Sequence, residues 1–503
     1  MYDLIIKNAN ILDGSGSEAF VSDVAIKDGK ISKIAVGLSG ADRVIDATGL
    51  TLTPGFIDSH SHSDNAIEKY PDQREKVEQG ITFAIAGQCG SSVAPSVGED
   101  GNLRTMGEFL RDNRDNLQGS GSTVLIGHNA LRKAVMGNEN RLATPKELEQ
   151  MKELIREGMR SGAIGLSFGL IYVPGCYSDT NEVIELAKVV AEYDGILASH
   201  IRNEGDQLLE AVEEYITVVK ASGCRAVISH HKSARQPNWG KVKQSLAMVD
   251  KANAEGADIY VDVYPYTASG TTLITSYVPK MFRPKGTTSV LSLLDDPEIC
   301  ENIKSYFHET RGNDHSSTMI NQCPGYREYE GLNINEISDL RGQADRMDTA
   351  FDLIRMTKGT VTACFFTMCE EDVEYVMKHP RAMIGTDSSV TKNMTHVHPR
   401  LRGTFPRVLG RYVRERGVTT LPEMIRKMTS LPAHVYGLKT KGRIAEGMDA
   451  DICIFDADKI IDQANFKDCF LPNLGLNYVI INGKVVCEDG IYNGIRTAKV
   501  YTK

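Results

Sequence analysis

Apolar and polar positions follow two rhythms along these 503 residues. At both ends the apolar runs are short and broken by tight turns. Leu4-Ile5-Ile6-Lys7-Asn8-Ala9 leads to Asp13-Gly14, and Val24-Ala25-Ile26-Lys27 meets Lys30-Ile31 across Asp28-Gly29, a hairpin signal. Val44–Ala47 follows. Near the other end Ala450–Asp456 reads as a strand, and Tyr478–Cys487 as two strands around Asn482-Gly483. So small a β-structure is insecure alone. Residues 1–50 and 441–503 are therefore expected to meet in one small β-sandwich or barrel domain.

Between them, over 51–440, apolar runs alternate with amphipathic helical stretches, the mark of parallel α/β architecture. Strands are predicted at 53–59, 82–88, 123–128, 163–168, 195–200, 225–230, 257–264 and 382–387. A helix is predicted from Thr144, with Thr144 as N-cap, Pro145 in the first turn and Glu147 at the capping-box position. Strand–helix units of this number predict an α/β fold, a (β/α)₈ TIM-like barrel. The interval at about 280–345 breaks the rhythm, with an amphipathic stretch near 297–308. Insertions of this size in a barrel usually form lids or binding loops.

Composition is ordinary for a globular chain, 41% hydrophobic and 24% charged, with net charge −9. No basic stripe points to nucleic acid. No apolar run approaches the roughly 20 residues that cross a bilayer. Met1–Lys7 enters a strand pattern and lacks a signal-peptide layout, so a cytoplasmic location is expected. The ten cysteines stand singly and are expected to be reduced and mostly buried.

Barrel active sites form at the C-terminal ends of strands. The first predicted strand, within Thr53-Pro54-Gly55-Phe56-Ile57-Asp58-Ser59-His60-Ser61-His62, ends in His-x-His. The second ends in Cys89, the fifth in His200, the sixth in His230-His231, and the eighth in Asp387. Five such endings on one rim predict a metal or catalytic site. Imidazole, thiolate and carboxylate together favour zinc over magnesium or calcium, with iron and manganese as other candidates. Zinc activates water and polarises a carbonyl, and Asp387 is placed to act as general base and then acid. Lys232 shares a face with His230 and is the candidate cation for a substrate carboxylate. Strand alternation alone does not choose between His230 and His231.

These endings resemble the amidohydrolase superfamily, many of whose members carry a lysine on strand four. Ala163–Gly169 has none, and Cys89 stands in its place. In this the chain is similar to the N-acyl-D-amino-acid deacylases (D-aminoacylases), over nearly its whole length. Ser199-His200-Ile201-Arg202-Asn203-Glu204, Ser229-His230-His231-Lys232, Tyr264-Pro265-Tyr266 and His398–Arg407 carry the likeness. The resemblance implies a tight zinc on Cys89, His200 and His230. It also implies a second, weaker zinc on His60 and His62 with Cys89 bridging. It implicates Tyr172, Tyr264, Ser269 and Arg400, besides Lys232, in holding a small-molecule N-acyl-D-amino acid. Where the family commonly reads Ala-Gly-Ser, this chain reads Ala268-Ser269-Gly270. The implied activity is hydrolysis of the amide to a carboxylate and a free D-amino acid.

Two other readings compete. A hydantoinase- or dihydroorotase-type cyclic amide hydrolase usually carries the strand-four lysine. A non-catalytic scaffold would be expected to lose its ligands first. His396-x-His398 lacks a preceding strand and reads as a loop, and His128 ends strand three with either a pocket or a structural role. Leu12–Gly16 is glycine-rich but precedes no helix, so it reads as a turn. Asn393-Met394-Thr395 matches a glycosylation sequon, of little meaning in a cytoplasmic protein. Oligomeric state is not legible.

Overall fold

Strands from both chain ends share one nine-stranded sheet. In the computed structural model, which describes residues 1–283, 287–390 and 394–503, Tyr2–Ile11 lies near its middle. It pairs antiparallel with Phe20–Lys27 and parallel with Ala41–Asp46 and Thr51–Pro54. Thr51–Pro54 pairs in turn with Ile452–Phe455, which leads to Leu476–Ile481 and Lys484–Glu488. The hairpin signals hold. Asp28-Gly29 and Asn482-Gly483 have φ of 49° and 75° each, the left-handed pair whose twist matches the flanking strands. Ile6, Ile11, Ile26, Leu52, Ile452 and Ile480 pack in one core beneath the sheet.

The stretch predicted as one strand over 53–59 is two. Thr51–Pro54 belongs to the terminal sheet and Phe56–Asp58 to the barrel. Gly55 marks the change: a Cβ there would lie 2.2 Å from Thr82 Oγ1, so the backbone passes against strand two as it switches sheets.

The barrel strands are Phe56–Asp58, Ile81–Ala86, Gly121–Val124 continued by Ile126–Gly127, Gly165–Gly169, Ile196–His200, Arg225–Ile228, Ile259–Val263 and Ala382–Ile384. Their pairing is parallel throughout. The ring closes where the Ser59 N–H donates to Ile384 O at 3.2 Å. Ile57, Ile85, Leu125, Ile164, Ala198, Val227 and Met383 form an inner core, which Leu431 and Val435 plug. Leu166, Leu197, Ile228 and Val261 face outward onto the helical layer. Pro145–Arg160 is one of those helices and begins with the predicted capping box of Thr144 and Glu147.

Between strands seven and eight the chain builds a separate layer. Ser269–Thr272, Thr318–Gln322 and Thr362–Phe365 form a small antiparallel sheet. Leu273, Ile303, Phe307, Ile337, Phe351 and Val361 give it a core of its own. This layer is wider than the interval of broken rhythm, because Arg346–Met356 followed by Thr362–Phe365 looks like one more helix–strand unit. Among the described residues no helix is long and apolar enough to cross a membrane. Asn393 of the sequon, and residues 284–286 of the insertion, lie outside the described residues.

Candidate active site

Three rim residues stand in the left-handed region: Cys89 at φ 53°, His230 at 36° and Asp387 at 48°. Backbone of this kind in non-glycine residues costs about 1–3 kcal/mol each and concentrates at functional sites. The turn bearing Cys89 depends on Gly87, at φ 75°, where a Cβ would lie 2.2 Å from Leu125 O. A side chain at 87 would push the thiol off the rim.

The side chains converge. His60, Cys89, His230 and Asp387, all buried, each offer a donor atom within 4.8 Å of the others, and so do His200, Glu204 and His230. Cys89 Sγ lies 3.3 Å from Nε2 of both His60 and His230. His62 joins through Asp387, with Nε2 3.0 Å from Oδ1. Arg400 Nη1 donates to the other oxygen of Asp387 at 2.7 Å. The predicted ligands and Asp387 thus meet in one place.

Charges behind them set their state. Burial opposes ionisation of the Cys89 thiol, yet the flanking His60 and His230 hold its pKa well below the usual thiol value. Burial likewise opposes the Asp387 charge, but Arg400 and His230, with the His62 hydrogen bond, keep this carboxyl well below the usual range. Asp262 lies 3.2 Å from His60 Nδ1 and accepts the His230 N–H at 2.7 Å. Glu204 lies 2.9 Å from His230 Nδ1 and accepts from Lys232 Nζ at 2.5 Å. Carboxylates in this position orient ligating imidazoles. Sequence reading gave neither Asp262 nor Glu204 a role. A carboxylate two to four residues from a histidine, or on the adjacent strand, is the signal that could have found them.

His231 is resolved by the structure. Its Nε2 meets Ser245 Oγ at 2.8 Å on the helical side, and burial, with Lys232, pushes its pKa down to about 3. His396 and His398 are loop residues bonded to backbone carbonyls, Phe466 O and Ala268 O, each at 2.9 Å. His128 opens a helix and meets Glu182 Oε1 at 2.8 Å, away from the rim.

A cleft of about 980 Å³ opens over the cluster, lined by Tyr172, Lys232, Tyr264, Ser269, Gly270 and Arg400 among others. The Tyr172 ring lies 4.9 Å from that of His200, and Arg400 sits over the Tyr264 ring at 5.0 Å. Lys232 is buried, with its ammonium on Glu204 and 2.8 Å from His230 Nδ1. A Cβ at 270 would lie 3.5 Å from Arg400 Nη2, so the exchanged order puts the glycine, not the serine, against that guanidinium. Arg283 also lines the cleft, and its buried Nε has no hydrogen-bond partner among the described residues.

The donor set fits a metal. Neither ring nitrogen of His200, both buried, makes a hydrogen bond among the described residues, and Nε2 has only the Glu204 carboxylate at 3.5 Å, an arrangement that is costly unless something else binds there. With a thiol primed for ionisation and further imidazoles beside it, the cluster suits a borderline-soft divalent cation.

Comparison with known proteins agrees. The model of the amidohydrolase family matches residues 43–487. N-acyl-D-glutamate deacylase of Alcaligenes xylosoxydans xylosoxydans is 34% identical, over 96% of this chain and 93% of its own. A crystal structure of N-acyl-D-glutamate deacylase from Bordetella bronchiseptica, complexed with zinc and a phosphonate mimic of the tetrahedral intermediate, superposes with TM-score 0.85 at 31% identity, over all of both chains. The structure of a D-aminoacylase, described as defining a novel subset of amidohydrolases, gives TM-score 0.86 at 31% identity, again over both whole chains. The chain belongs to the amidohydrolase family, in its N-acyl-D-amino-acid deacylase branch.

Proposed function

We propose that the protein hydrolyses the amide bond of N-acyl-D-amino acids, with zinc as cofactor, releasing a carboxylate and a free D-amino acid. The observation that carries this is the convergence of His60, Cys89, His230 and Asp387, with Cys89 present and no lysine on strand four. The missing lysine counts against the cyclic amide hydrolases, and the intact donor set against a scaffold without chemistry.

Cys89, His200 and His230 would hold the tight zinc, and His60 and His62, sharing Cys89, a weaker one. Bound there, zinc would supply Lewis-acid polarisation of an amide carbonyl and would lower the pKa of water to about 7. Asp387, kept ionised by Arg400, accepts the proton of the attacking water at its carboxylate. It then returns that proton to the departing nitrogen. Arg400 and Lys232 provide positive charge for the α-carboxylate, and Tyr172, Tyr264 and Ser269 line its path. Glu204 and Asp262 fix the imidazoles.

We also assign residues 1–50 and 441–503 to the small β-domain and 51–440 to the hydrolase barrel with its insertion at about 280–345. Sheet pairing supports this division, with the inner boundary moved to Gly55. A cytoplasmic location fits ten free cysteines, nine of them buried.

The test is amine release from paired N-acetyl-D- and N-acetyl-L-amino acids with zinc present. The panel includes dicarboxylic side chains, because Arg283 lines the cleft and its Nε has no hydrogen-bond partner among the described residues. Turnover of D substrates alone is expected. Cleavage of hydantoins or dihydroorotate instead would overturn the substrate class and leave the metal site standing.

A further inference from the structure

Beneath Asp387 lies a buried charged network that the reaction above does not use. Lys76 sits on the short helix Arg74–Val77 and, like Asp58 at the end of strand one, has no solvent exposure. The Lys76 ammonium has three protons and directs all of them inward. It donates to Asp58 Oδ2 at 2.5 Å, to Thr386 Oγ1 at 2.7 Å and to Ser388 Oγ at 3.2 Å. Thr386 and Ser388 are the two neighbours of Asp387 in the chain. Thr386 in turn gives both its N–H and its hydroxyl to Asp58, at 2.8 and 2.7 Å. The Ser388 hydroxyl donates to Thr386 Oγ1 at 2.8 Å. Asp58 also accepts the His60 N–H at 3.3 Å.

Every donor and acceptor of the ammonium and the carboxylate is thereby engaged. Fully satisfied networks of this kind rigidify what they contain. Stability alone does not explain it, since a buried ion pair is often no better than an apolar pair of the same volume. What the network encloses does. Asp387 holds φ 48° with its N–H on His60 O at 2.8 Å, and the Ser388 carbonyl accepts the His62 N–H at 2.9 Å. The ends of strands one and eight, bearing His60, His62 and Asp387, are thus stitched together through one ammonium.

We propose that Lys76 is a positioning residue for Asp387: through Thr386 and Ser388 it fixes the carboxylate at the angle from which it exchanges a proton with water and the leaving nitrogen. This rests on the assignment of Asp387 as base and acid.

Lys76→Met and the paired Asp58→Asn/Lys76→Met variant are to be compared with Thr386→Val/Ser388→Ala, which keeps the ion pair and removes its side-chain links to the Asp387 segment, leaving only the 386 N–H on Asp58. Zinc content, kcat and KM are measured for each on N-acetyl-D-amino acids, with a crystal structure of one variant. The expected result in all three is a kcat about 10–100-fold lower, the scale set by a misplacement of about 1 Å, with KM changed less than about twofold and zinc unchanged. The crystal structure is expected to show the 386–388 segment displaced. Wild-type kcat in any folded variant overturns the proposal, leaving Lys76 a structural residue. Should Lys76→Met fail to fold because Asp58 is stranded, the other two variants decide. An Asp387→Asn control separates the two claims: turnover retained there would sink the assignment of Asp387 itself.

Discussion

The surroundings of Asp387 hold its carboxylate ionised. Arg400 and His62 each take one of its oxygens. Asp387→Asn keeps the shape and loses the base. It is expected to lower kcat about 10²–10⁴-fold while zinc content, measured by elemental analysis, holds. Glu204 works differently, through His230 Nδ1 and Lys232. Glu204→Gln should weaken zinc binding about 10–100-fold, read by competition with a chelating dye. Normal zinc affinity in that variant would remove Glu204 from the support of the site.

At the level of strands and helices, a second buried cluster ties the helix His128–Met136 to the helix Thr180–Ala191. Arg132 donates to both oxygens of Glu182, at 2.7 and 2.6 Å. Burial works against the Glu182 charge, but the His128 and Arg132 hydrogen bonds hold its carboxyl at about 2, against an ordinary 4.5. A depressed carboxylate contributes stability that is present above pH 4.5 and disappears as pH falls through 2. Here that contribution is about 3 kcal/mol. Glu182→Gln should cost about 3–5 kcal/mol at neutral pH, by stranding Arg132, and flatten the fall of stability between pH 4.5 and 2 in denaturant titrations. A parallel fall in both proteins would dismiss the cluster.

These elements differ in how far the sequence announces them. Strand ends carrying His60, His62, Cys89, His200, His230 and Asp387 are legible, because an apolar run followed by a ligand-type residue is a local signal. The border at Gly55 is not, since Thr51–Pro54 and Phe56–Asp58 read as one continuous buried run and only their pairing partners differ. Nor is the full width of the insertion, whose Arg346–Met356 and Thr362–Phe365 imitate a barrel unit. Lys76 escapes altogether. Its anchors lie 18, 310 and 312 residues away, and one lysine on a short helix looks like surface until the fold buries it.

Across the whole molecule, the proposed metal site would also be a joint, since its candidate donors come from strands one, two, five, six and eight. A metal that binds only the folded state adds about 2.7 kcal/mol at a hundred times its Kd. Chelation should therefore lower the unfolding temperature of the barrel, and zinc should restore it, in scanning calorimetry. An unchanged transition would mean that the strand ends are held without it.

The pairing of Thr51–Pro54 with Ile452–Phe455 sets a schedule for synthesis. A strand made among the first residues has an edge whose neighbour leaves the ribosome nearly 400 residues later. At roughly 5–20 residues per second that is an interval of some 20–80 s. Throughout it the barrel emerges with the terminal sheet half built and the Thr51–Pro54 edge open. Chaperone capture in the cell should fall on that edge and end when the last strands arrive.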